Sequence, residues 1–278
     1  MCTLVANFRF AKILILESLP PNEFHTGAAL HQQIDALLQH YNVDLKIQYI
    51  SFQGRRDFRK LIDKASSAVR KTGMTPLLQI ECHGGDDGLT FANGDFIDWK
   101  TLCDILRPLN ELTRLNLFIC ISACFGAYLN REFLPLEPAP FFGVLSTTQE
   151  QYPDELLRGF SAFYRTLIET LDGDQAQAAV AAAAPDFYLT DVRRQFILIY
   201  GNYLTRMCTP EMYWRRAGGM LAEAQRKGIA AGTVYYYRQL LQEHEVDKFE
   251  GFKRQFFMLE LFPENATRFP ITLTDVGR

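Results

Sequence analysis

No apolar run in this 278-residue chain approaches the ~20 residues that a membrane span requires, so no membrane partner is expected. Neither sign of charge is in excess. The 29 Lys and Arg stand against 32 Asp and Glu, a formal net charge of −3, and without a basic footprint nucleic acid is not an expected partner. The apolar patch Ile13 to Leu16 is followed by Glu17 with no small-residue cleavage site, so no signal peptide is expected. The cysteines, Cys2, Cys82, Cys103, Cys120, Cys124 and Cys208, form no C-x-x-C pair. That excludes the commonest zinc and redox motifs and fits reduced, mostly buried thiols of a cytoplasmic protein better than a disulfide framework. No glycine-rich phosphate loop follows the first apolar run, which argues against a flavodoxin-like nucleotide site. Repeats, low-complexity tracts and a clear linker are also missing.

What is there is an alternation. The hydrophobic share is 48% and the charged share 22%, enough for one large domain or a domain with an appendage. Lys12 to Leu19 reads as a strand buried on both faces. Thr26-Gly27 opens a helix with Leu30, Ile34, Leu37, Leu38 and Tyr41 on one face. A strand follows over Asp44 to Phe52, then a helix over about Arg56 to Lys71 that presents Phe58, Leu61, Ile62, Ala65 and Val69 and ends at Thr72-Gly73. Leu77 to Gly85 is the third strand. The run LTFANGDFIDW predicts a small hairpin, with Asn93-Gly94 as a type I′ turn. A helix from Trp99 is expected to stop before Pro108. Leu115 to Ser122 and Phe141 to Thr147 read as further strands. Asp154 is the expected cap of a helix whose apolar face runs from Leu157 through Phe160, Phe163, Tyr164, Leu167 and Ile168 to Leu171, and the alanine-rich stretch Gln175 to Ala184 is another helix. Phe196 to Tyr203 fits a strand or a helix. From Pro210 to Phe262 the sequence is helical and rich in aromatics. Such alternation predicts an α/β fold, a mainly parallel sheet flanked by helices, over residues 1–190, with a mostly helical C-terminal extension over 191–278.

Two strands in this pattern carry chemistry. LLQIECHGG ends on His83-Gly84, and LNLFICISACFGA ends on Ala123-Cys124 with Gly126 behind it. In parallel sheets ligands bind at the carboxyl ends of strands. If the two strands are neighbours, their ends lie about 5 Å apart. An imidazole beside a thiol raises its thiolate fraction and later protonates a leaving amine. Gly84 leaves its N–H free to aim at an oxyanion, with the N–H of Cys124 as a second donor. Gly126 is expected to let the chain turn sharply behind the nucleophile. A buried His or Cys in a core strand is ordinarily a packing residue, and Cys82 and Cys120 are read that way.

The paired blocks resemble the caspase-like cysteine peptidases. There an apolar block ends in His-Gly and, some 50 residues on, a second ends in Ala-Cys or Gly-Cys. Of the caspase signature Q-A-C-x-G, Ala123, Cys124 and Gly126 match, and Ser122 replaces the glutamine. The strand Phe142 to Leu145, the helix carrying Phe163-Tyr164 and the alanine-rich helix after it look more like the CHAT branch, the bacterial separase- and caspase-related peptidases. The resemblance covers roughly residues 10 to 185. It implies a caspase-like sheet and a thiol protease, with Cys124 as nucleophile and His83 as base, cutting a protein substrate without metal or organic cofactor. It also implies a regulated role in bacterial defence or cell death. The fallback, from a different class, is a catalytically silent scaffold or protein-binding module on the same fold.

The arginine that caspases use to hold a substrate aspartate falls at His25 here, in His25-Thr26-Gly27. An acidic pocket for a basic residue before the scissile bond (P1) is therefore expected instead. Asp86, Asp87, Glu150 and Asp154 are the candidate carboxylates. Asp86, Asp87 and His83 are too few for a hard-cation loop, so no metal is expected. The loop Asn130 to Pro140, with Arg131, is where an activation cut would fall. Control by a regulatory protein bound to the C-terminal helices is the other expectation.

Overall fold

The computed structural model describes residues 8–229, 232–243 and 245–277. Cys2 lies outside them. The chain divides into two compact units: residues up to Phe133 with Ala139–Val192, and Leu134–Pro138 with the residues from Arg193 onward.

The first unit is an α/β sheet of mostly parallel strands flanked by helices, as the alternation predicts. Its main strands are β1 (Lys12–Ser18), β2 (Lys46–Ser51), β3 (Pro76–Gly85), β6 (Phe118–Ser122), β7 (Gly143–Thr147) and β8 (Phe187–Asp191), in the order β2-β1-β3-β6-β7-β8. Strands β1, β6 and β7 are almost wholly buried, because helices cover both faces and no polar alternation is needed. By contrast β2, on the edge, has no fully buried residue. The antiparallel edge strand β8 pairs along β7 from Gly143↔Asp191 to Thr147↔Phe187. It has no counterpart in the sequence reading, since FYLTD is short and carries no turn signal of its own. Among the helices, α1 (Thr26–Tyr41) packs beside α4 (Pro153–Thr170), and α2 (Arg55–Thr72) beside α3 (Trp99–Leu112). Helix α5 (Gly173–Ala183) lies against α4 and is capped by Asp172, whose carboxylate accepts from the N–H groups of Asp174 and Gln175.

Several local expectations are corrected. Helix α3 runs through Pro108. Leu109 continues its buried face, and the buried Asn110 donates from Nδ2 to the Ala139 carbonyl (2.8 Å) and accepts from the Leu117 N–H (3.1 Å). These tertiary contacts work against the ~3 kcal/mol penalty of an interior proline. The hairpin of β4 (Gly88–Thr90) and β5 (Phe96–Asp98) exists, but only Gly94 of its turn has positive φ, 85°. A type I′ turn needs it at Asn93 as well. The N-cap of α4 is Tyr152 rather than Asp154, with Pro153 in the first turn and Glu155 Oε2 accepting from the Tyr152 N–H at 3.0 Å. Tyr41 and Leu171, read as core, are 38% and 61% exposed at helix ends.

The second unit is helical: α6 (Val192–Met207, of which the part from Arg193 belongs here), α7 (Pro210–Arg226), α8 (Val234–Glu243) and α9 (Glu245–Phe256). Phe196 to Tyr203 is thus helix. Its core is aromatic: Phe196 meets Tyr200, Phe249, Phe256 and Phe257 with ring centroids 5.0–5.8 Å apart. A smaller cluster of Tyr213, Ala217 and Leu241 joins α7 to α8. Among the described residues no helix is long and apolar enough to cross a membrane.

Candidate active site

Strands β3 and β6 are direct parallel neighbours, paired from Leu77↔Phe118 to Glu81↔Ser122. His83 and Cys124 each lie two residues past that last pair, so the same sheet edge delivers both. They do so through different local structures. His83 remains in strand conformation, because β3 continues into a hairpin with β4 (His83↔Thr90, Gly84↔Leu89, Gly85↔Gly88). Cys124 sits in a tight turn between β6 and a 3-10 helix, Gly126–Glu132. The reversal is made at Phe125, whose φ of 58° is left-handed and unfavourable for a bulky side chain. Gly126, expected to make that turn, serves a packing need: a Cβ there would meet Ser146 Oγ at 2.2 Å and Ile121 Cγ2 at 2.8 Å.

Hairpin and turn touch. A Cβ at Gly84 would lie 2.1 Å from the Cys124 carbonyl oxygen and 2.9 Å from Ala123 Cβ, so only glycine lets the His83 strand close on the cysteine turn. Together they border a cavity of about 330 Å³, lined also by Leu19, Glu23 and Phe24 from the β1–α1 connection, by Thr26 at the start of α1, and by Gln151, Pro153 and Leu156. The imidazole and the thiol are not hydrogen-bonded to each other. His83 Nε2 is 2.8 Å from Glu23 Oε2, and Cys124 Sγ is 3.8 Å from the Gln151 carbonyl. Cys124 is partly exposed. By contrast, burial pushes the thiols of Cys82, Cys103 and Cys120 well up, which keeps them protonated and inert at neutral pH.

Behind the cavity lies a polar cluster that the sequence reading missed. Glu17 and Glu81 face each other across β1 and β3, and both are buried. The first turn of α1 supplies donors to both: the Gly27 N–H to Glu17 Oε1 (2.7 Å) and the Thr26 hydroxyl to Glu81 Oε2 (2.6 Å). Gln79 Nε2 donates to Glu81 Oε1 (2.8 Å), and the Tyr164 hydroxyl donates to Gln79 (2.9 Å). Burial pushes the Glu81 carboxyl up to about 7, with hydrogen bonds from Thr26, Ser122 and Gln79 opposing and Glu17 adding to the rise. The available signal was a glutamate within each of two largely apolar strands, with Gln79 two residues before Glu81.

The specificity candidates fall elsewhere than expected. His25 does not line the cavity; its Nδ1 is 2.7 Å from Glu17 Oε2, because a buried carboxylate needs partners. Asp86 and Asp87 form the exposed tip of the β3–β4 hairpin, where their carbonyls accept from Trp99 Nε1 (2.9 Å) and the Trp99 N–H (3.1 Å). Glu150 and Asp154 are exposed and flank the lining residues Gln151 and Pro153 without joining them. Gly84 borders the cysteine turn rather than the cavity wall. The carboxylate that lines the cavity is Glu23, which no motif marked. Arg131 sits in the 3-10 helix with its guanidinium 3.4 Å from the Tyr128 ring centroid, so the stretch expected to open as an activation loop begins in ordered structure. Among the described residues no three His, Cys, Asp or Glu side chains converge as metal ligands. Compared with known proteins, the chain matches no protein-family model and no curated protein.

Proposed function

We propose that the chain is a caspase-like cysteine endopeptidase of the CHAT kind, cutting a protein substrate without cofactor. The observation that carries this reading is the shared cavity of His83 and Cys124 at the ends of adjacent strands, with Gly84 packed against the cysteine backbone. The Cys124 thiolate attacks the scissile carbonyl, and the oxyanion is met by the backbone N–H groups of Cys124 and Gly84. His83, having taken the thiol proton, returns it to the departing amine. The thioester left on Cys124 is then hydrolysed by a water that His83 deprotonates. The P1 residue is proposed to be basic. Glu23 borders the cavity, and no Lys or Arg is among its lining residues. A role in cytoplasmic bacterial defence or cell death, and control by a regulatory protein on the C-terminal helices, belong to the same proposal.

One observation favours a silent scaffold instead: the resting thiol is bonded to the Gln151 carbonyl and not to the imidazole. A peptide library varied at P1, digested by the native protein and by Cys124→Ala, separates the two readings. Cleavage after Lys or Arg that vanishes in the variant is expected. Equal background from both proteins, together with no preference of iodoacetamide for Cys124 over Cys208, the other partly exposed thiol among the described residues, would leave the scaffold standing.

A further inference from the structure

Building on the peptidase reading, we infer that Glu23 is the positioning residue for His83 and makes the pair a Glu-His-Cys relay. Glu23 reaches His83 from the β1–α1 connection, 60 residues away in sequence, and places Oε2 2.8 Å from Nε2. Both side chains line the cavity that Cys124 lines. An imidazole whose Nε2 faces a carboxylate keeps its proton there when neutral, since a carboxylate only accepts. The lone pair is then on Nδ1, which is the ring nitrogen left to act on the thiol. The thiol proton passes from Sγ to Nδ1, giving thiolate and imidazolium. Glu23 stabilises that imidazolium without taking a proton, and the Nδ1 proton later leaves with the amine.

Both partners are substantially exposed, at 54% and 38% of their side-chain surface, and exposed ion pairs hold little of a fold together. Loss of the carboxylate should therefore be read in reactivity and not in folding. The test follows the rate of Cys124 alkylation by iodoacetamide against pH, site by site through peptide mass, in the native chain, Glu23→Gln, Glu23→Asp and His83→Ala. This readout needs no peptidase turnover. Glu23→Gln is expected to slow alkylation at pH 7 by roughly ten- to a hundredfold, the size of loss seen when the carboxylate that orients a metal-bound histidine is removed. The pH–rate curve should move to higher pH at an unchanged unfolding midpoint, and Glu23→Asp should recover part of the rate. A Glu23→Gln curve that superimposes on the native one, while His83→Ala slows the reaction, would overturn the relay and leave the His83–Cys124 pair intact. A slower rate without displacement of the curve would reduce Glu23 to a structural contact and overturn it as well. No effect of His83→Ala would overturn both the relay and the peptidase reading.

Discussion

Single residues decide whether this site can close. Gly84 has no room for a side chain: the first added carbon would press on the Cys124 carbonyl. Gly84→Ala is therefore expected to push the hairpin off the nucleophile turn, lowering kcat/KM by about a hundredfold or more while costing only about 1–3 kcal/mol of stability. Peptide cleavage beside a denaturant titration checks both figures, and an unimpaired variant would show that the contact yields freely. Glu81 acts on stability instead. Its carboxyl is pushed up to about 7 from an ordinary 4.5. Below about 4.5 it is protonated folded and unfolded alike. Between 4.5 and 7 only the folded chain keeps the proton, so stability falls as pH rises through that window, by roughly 3 kcal/mol in all. Urea unfolding at pH 5 and pH 8 should show Glu81→Gln losing less stability between the two than the native chain. An identical loss would mean that the buried carboxylate does not titrate there.

At the scale of elements, the β3–β4 hairpin is what carries the histidine out of the sheet, and α3 holds its tip. Trp99, itself buried, gives two hydrogen bonds to the carbonyls of Asp86 and Asp87. Trp99→Phe removes the one from Nε1 together with part of the buried indole. A loss of about 2–3 kcal/mol is expected, with a larger proportional loss in cleavage rate than in unfolding midpoint, because the hairpin then positions His83 less firmly. Parallel drops in both would make Trp99 a core residue only. The hairpin was legible as Asn-Gly between apolar runs, but its turn type was not, since five residues connect β4 to β5 and only Gly94 takes positive φ. Pro108 misled for a related reason. A proline's local penalty is visible in sequence, whereas the hydrogen bond from Asn110 to the Ala139 carbonyl joins residues 29 apart.

At the scale of the whole molecule, the two units have separate cores, an aliphatic and aromatic α/β sheet and an aromatic helical cluster. The chain has two tryptophans, Trp99 in the first unit and Trp214 in the second. Trp214→Phe and Trp99→Phe therefore leave one fluorophore in each. We expect distinct denaturant midpoints for the two variants, the outcome if each unit unfolds as a cooperative block of its own. Coincident midpoints, matched by circular dichroism, would mean a single cooperative transition. The chain enters the second unit early, at Leu134–Pro138, and returns for β7, a crossing that neither composition nor a linker betrays.

By itself the sequence determined the alternation of strands and helices, the parallel sheet, and the delivery of His83 and Cys124 to strand ends. These follow from apolar runs and glycine punctuation, which are local signals. Tertiary structure decided the rest of the site. It placed Glu23, from another connection, on the imidazole. It tied His25 to Glu17, and it sent Asp86 and Asp87 to a hairpin tip and left Glu150 and Asp154 beside the cavity rather than in it. Whether a carboxylate faces a cavity or the solvent depends on which loops converge there, and charge along the chain carries no record of that convergence.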